Sequence, residues 1–169
     1  MSGMVAHHAQ AVLMGKWAPS HGASGAVQRF CERIVVGQRD EIFLMQRWLL
    51  ERKETVPSAD TTFDPSHDRM MRDMPGMAMP MLMPGMLTGA QLAELDAARG
   101  REFDRLFLTY MIQHHQGAIT MVNAVFGAGG GQDDIVFKFA SDVYADQTTE
   151  IDRMTTMLAA MPPVRGGPR

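Results

Sequence analysis

Apolar side chains recur at intervals of three and four residues in four segments of the chain, and no segment sustains an alternation of period two. That pattern predicts an almost wholly helical protein. The first helix is expected from about Gly3 to Trp17, ended by Pro19, whose ring cannot continue a helix. The second runs from about Ser24, a capping residue, to Lys53, with Pro57 beyond its end. From about Thr55 to Leu87 the breakers Pro57, Pro65, Pro75, Gly76, Pro80, Pro84 and Gly85 exclude a long helix. Thr88 then opens TGAQ, a capping-box pattern with Gln91 three residues on. Gly100 divides the next stretch into a short helix and a long one ending near Phe126. GAGGGQDD supplies a loop and an acidic cap for a last helix from about Asp134 to Met161, stopped by Pro162 and Pro163.

The two halves of this pattern carry the same text. MVAHHAQAVLM at 4–14 matches MIQHHQGAITM at 111–121 without a gap, and QRDEIFLM at 38–45 matches QTTEIDRM at 147–154. The offsets are 107 and 109, so the connecting loop of the second half is longer by only two residues. The expected unit is a helix hairpin occurring twice, at 3–54 and 88–161, joined by a Met/Pro-rich linker at 55–87. Two hairpins that each bury one face have a natural solution in an antiparallel four-helix bundle, here a single all-α domain over 1–169.

Charge narrows the partners. Sixteen basic and 19 acidic residues are mixed along the 169-residue chain for a formal net charge of -3, which provides no footprint for nucleic acid or an anionic membrane. No apolar run approaches the roughly 20 residues needed to span a bilayer. The chain starts inside a helical pattern with no signal peptide, which reads as a processed or truncated form. Cys31 is the sole cysteine, so neither an intramolecular disulfide nor a thiolate cluster is available, and its position is that of a packed small hydrophobe. Methionine is the outlier: 17 residues, more than the 8 Phe, 2 Trp and 2 Tyr together.

At about 100° of turn per residue, Met4, His7, Ala11 and Met14 share one stripe of the first helix, and Met111, His114, Ala118 and Met121 share one on its counterpart. His8 and His115 flank these stripes, so either histidine of a pair can approach the methionine one turn earlier. Because Met4 and Met14 are about 15 Å apart along the axis, two layers are expected. One would join Met4 and Met111 to the histidine pairs; the other would bring Met14 and Met121 toward Met45 and Met154. Thioether and imidazole together select a soft ion, with cuprous copper favoured, Ag(I) an alternative, and zinc less suited without cysteine thiolate, although Glu41 or Glu150 offers it a carboxylate. Residues 70–86 hold eight more methionines, which could capture such an ion, with His67 just upstream.

Each feature has a plainer account. A methionine stripe is ordinarily core, a lone histidine is ordinarily structural, and the linker methionines could be a hydrophobic flap or a partner-binding surface. Gln38, Glu41, Gln147 and Glu150 are expected to hydrogen-bond across helices, and His21 to be a solvated loop residue. A di-iron carboxylate enzyme would need Glu-x-x-His from two helices, and no such spacing occurs; the nearest approach is Asp64 to His67.

FDRLFLTYMIQHHQGAITM at 103–121, with the earlier HHAQAVLM and the two Q-x-x-E-I-x-x-M segments, resembles the family named domain of unknown function 305 over nearly the whole chain. The resemblance implies a ferritin-like fold, an exported (periplasmic, secreted or cell-envelope) location, and kinship with CopM-like periplasmic copper-binding proteins. Residue by residue, it implies metal binding through Met4, His7, His8, Met14, Met45, Met111, His114, His115, Met121 and Met154. The expected function is non-enzymatic sequestration or delivery of cuprous ion, with a homodimer or a metal-exchange protein as partner. The alternative is a helical interaction module with structural histidines and a methionine-rich linker that grips a partner.

Overall fold

The computed structural model of the protein describes residues 1–59 and 82–162, and among them are five α-helices and no strand. They are α1 (Ser2–Lys16), α2 (Gly25–Glu51), α3 (Gly89–Ala97), α4 (Arg101–Gly127) and α5 (Asp134–Ala159), with a 3-10 turn at Gly130–Gln132. The expected helix ends hold to within two residues because local chemistry sets them. The Ser24 side chain accepts from Val27 N, Thr88 and Gln91 form the reciprocal capping box, and Asp133 accepts from the amides of Ile135 and Val136. Gly100 breaks the chain between α3 and α4 with φ +58°, a conformation that favours glycine.

α1 is buried on nearly every side rather than along one stripe. Between Met4 and Gly15 only Ala6 is not fully buried. Its composition allows this, since Lys16 is its only charged side chain. α2 covers one side: Gly15 packs on Cys31 and Val35, and about two helical turns earlier His8 meets Glu41. α4 and α5 pack in the same manner, with His115 meeting Glu150 and Phe126 facing Phe137. α1 and α4 meet beside the first of these contacts, where the His7 and His114 rings stand 3.8 Å apart, centroid to centroid. Towards the start of α1, Gly3 lies beside Met121 of α4.

The remaining side of α1 is covered by residues 82–87. Gln10 holds Leu87 through both backbone groups, donating to its carbonyl at 3.0 Å and accepting from its amide at 2.7 Å. On the other side this segment lies directly on α4. A Cβ at Gly117 would collide with Pro84 O, and one at Gly85, whose φ is +77°, would stand 2.6 Å from Gln113 O. Two glycines therefore permit a backbone-on-backbone approach that any side chain would prevent.

Two apolar clusters fill the interior. One contains Met14, Met111 and Met154 with Phe30, Phe103 and Phe107; the other contains Met4 and Met45 with Val5, Ile42 and Val143, and Met121 packs at its edge. Cys31 is buried in the first, as a small hydrophobe. Among the described residues no helix is long and apolar enough to cross a membrane. His67 and the linker methionines Met70 to Met81 lie outside the described residues, whereas Met83 and Met86 are half-buried.

Gly117→Ala is expected to lower the unfolding free energy by about 3 kcal/mol in urea titrations, since neither backbone can yield cheaply. Gly37→Ala provides the contrast. Its Cβ would meet nothing within 4 Å, so the helix should gain about 0.5–1 kcal/mol.

Candidate metal centre

Four histidines form a contiguous chain of rings at the α1–α4 contact. The centroid spacings are 6.3 Å from His8 to His7, 3.8 Å from His7 to His114, and 6.2 Å from His114 to His115. All four are at most 1% exposed. Along both helices they fall between the methionines of the two clusters: Met4 precedes and Met14 follows them on α1, and Met111 and Met121 do so on α4.

Hydrogen bonds define the tautomers of the inner pair. His7 Nε2 is 3.0 Å from Pro84 O, and His114 Nε2 is 3.0 Å from His7 O; a carbonyl only accepts, so each Nε2 carries the proton. His115 Nε2 lies 2.6 Å from Glu150 Oε2. His8 Nε2 lies 2.8 Å from Glu41 Oε2, close but poorly aligned. In all four rings the other nitrogen, Nδ1, is buried without a partner. A nitrogen that carries a lone pair and meets no donor is equipped to coordinate a cation, and an oxygen on the far side of the ring is the usual support of a metal-binding imidazole.

Burial sets the protonation. Desolvation first, then repulsion from His8, lowers the His7 pKa to about 3, against the weaker opposing pull of the Pro84 carbonyl. His114 is held well below the ordinary histidine range by burial and by the other three histidines. Both rings are therefore neutral at pH 7, as a metal ligand must be.

The ten sequence-predicted positions all lie on the helices, and nine are buried, with Met121 half-buried. Their grouping differs from the expected layers. Met111 shares a cluster with Met14 and Met154, while Met121 joins Met4 and Met45, because the opposite ends of α1 and α4 meet at their crossing. His21 also departs from expectation. It is 5% exposed rather than solvated, with Nδ1 2.9 Å from Ser20 Oγ and Nε2 3.0 Å from Asp96 Oδ1. Glu41 and Glu150 do reach across helices, whereas the Oε1 atoms of Gln38 and Gln147 are buried without partners. Motif and spacing do not mark Gln10 or the Pro84 carbonyl; the one hint of the former is an amide side chain in a helix with a single charged residue. Among the described residues no three His, Cys, Asp or Glu side chains are grouped to hold one metal ion.

The molecule is thus a helical bundle with a buried row of imidazoles between two methionine-bearing cores. It belongs to the family described as Domain of unknown function (DUF305), whose profile matches residues 1–158. A DUF305 fragment from Deinococcus radiodurans is 25% identical, with a TM-score of 0.72 over 94% of this chain and 91% of that one. A DUF305 protein of Streptomyces coelicolor, inferred to be secreted, is also 25% identical, with a TM-score of 0.73 over 94% and 88%. CopM in its Cu(I)-bound form is 24% identical, with a TM-score of 0.66 over 92% and 90%, and shares the fold. No curated protein matches the chain.

The histidine burial has a pH signature. The unfolded chain binds protons near pH 6.5 and the folded His7 only near 3, so the unfolded state holds more protons between these values and stability falls as pH drops. Urea unfolding between pH 6.5 and 5, above the carboxylate range, is expected to show this loss, approaching about 1.4 kcal/mol per pH unit for each fully depressed histidine. A His7→Gln variant should have a shallower slope.

Proposed function

We propose that this DUF305 protein is a non-enzymatic carrier of a soft metal ion, cuprous copper before silver or zinc, for sequestration or delivery in an exported compartment. His7, His8, His114 and His115 supply nitrogen, and Met4, Met14, Met45, Met111, Met121 and Met154 supply sulfur. The observation that carries this reading is the set of four buried Nδ1 atoms without partners, each on a ring whose Nε2 faces an oxygen. The framework we propose is an antiparallel four-helix, ferritin-like bundle, one domain of two repeated hairpins, with the linker as a capture arm.

Charge and softness support copper. A buried cation is costly unless compensated, and a monovalent ion held by neutral imidazole and thioether carries the least charge into the core. Glu41 and Glu150, on the far side of the outer rings, offset that charge. Zinc would want thiolate or a third hard ligand, which the described residues do not group together. CopM has been solved with Cu(I), Cu(II) and silver, and the Streptomyces relative inferred to be secreted supports export.

One observation favours the rival reading, an interaction module with structural histidines. Met14, Met45, Met111 and Met154 are fully buried in apolar clusters, where packing alone accounts for them. Cuprous titration against a competing chelator separates the two. The His7→Ala/His114→Ala double variant should bind at least about tenfold more weakly, a loss of about 1.4 kcal/mol. A Met14→Leu/Met111→Leu/Met154→Leu variant nearly conserves volume, so it should fold yet lose cuprous affinity. Equal affinity in the wild type and the double histidine variant would end the carrier reading.

A further inference from the structure

We infer that the polar cavity between α2 and α5 is the port through which the metal cation reaches the buried imidazoles; this rests on the carrier reading above. The cavity, of about 230 Å³, is lined by Glu41, Glu150, Asp146, Gln38 and Gln147, with Arg33 as the one lining cation among the described residues. Glu41 and Glu150 are also the residues that face His8 and His115, so the cavity wall is one contact away from the outer rings. A larger cavity of about 530 Å³, whose apolar wall is formed by Leu44, Trp48, Ile135 and Phe139, touches none of the four histidines.

The lining favours cations in passage. Gln38 and Gln147 are 3% and 1% exposed, and their Oε1 atoms, which only accept, are buried without a donor. Three carboxylates surround the same space. Burial first, then repulsion from Glu41, Glu150 and Asp142, raises the Asp146 pKa. A cleft in which one sign of charge predominates, as the three carboxylates do here over Arg33, concentrates counter-ions and raises association rates. Among the described residues its carboxylates are not grouped with a third ligand to hold an ion tightly, and weak oxygen contacts suit a route that an ion must also leave.

Two variants test the port without replacing the glutamates that face the rings. Asp146→Asn removes a charge from the wall. Gly37→Lys adds a cation at the mouth, where a Cβ meets nothing within 4 Å and lysine is the better helix former. The full chain is mixed rapidly, without oxygen, with cuprous ion kept labile in acetonitrile. Loading is followed by quenching of tryptophan fluorescence, and equilibrium affinity is measured against a competing chelator. At low ionic strength loading should slow about threefold in Asp146→Asn and about tenfold in Gly37→Lys, with affinity unchanged within about twofold and the differences fading in salt. Wild-type loading rates in both variants would overturn the port alone, as would an affinity that falls in step with the rate. Failure of the wild type to bind cuprous ion would overturn the carrier reading and the port together.

Discussion

The contact of His7 with His114 is the constraint on which the rest depends. Two imidazoles at 3.8 Å, both without access to water, can persist only if neither is charged. Neutrality in turn requires that each ring satisfy its one N–H, and the two carbonyls that accept them come from very different places. One is the backbone of His7 itself, so α1 and α4 are tied directly; the other is Pro84, from the 82–87 segment that precedes α3. The helix crossing and the covering segment are thus parts of one hydrogen-bonded arrangement.

That dependence explains how residues 82–87 are seated. Pro84 can present its carbonyl to His7 only if its backbone lies almost on α4, and Gly117 removes the side chain that would keep it away. Gln10 then fixes Leu87, so the segment is held on both sides of the histidine. A polar glutamine in the middle of the most buried helix is costly unless fully bonded, and here both ends of its amide find backbone partners.

Electrostatically the bundle is graded from inside to outside. The inner rings His7 and His114 face neutral carbonyls, the outer rings His8 and His115 face carboxylates, and beyond these lies the acidic cavity between α2 and α5. Negative charge is therefore placed where it can attract and compensate a cation without being fully buried itself. The methionine clusters on either side contribute no charge, only polarizable sulfur and apolar surface.

Much of this was legible in the residues. Caps at Ser24, Thr88 and Asp133, the break at Gly100 and the three-and-four spacing set the helices, because such signals act within a turn or two of the chain. The same periodicity placed the candidate histidines and methionines on inward faces. It could not say which methionines would meet, since a helix's own period sets the angle of a side chain about that helix but not the sliding or crossing direction between helices. Met111 joined Met14 rather than Met4, His21 was buried through Asp96, and Gln10 found Leu87, all across 75 or more residues of chain. Those partnerships depend on where distant backbones come to rest, and only the folded molecule decides that.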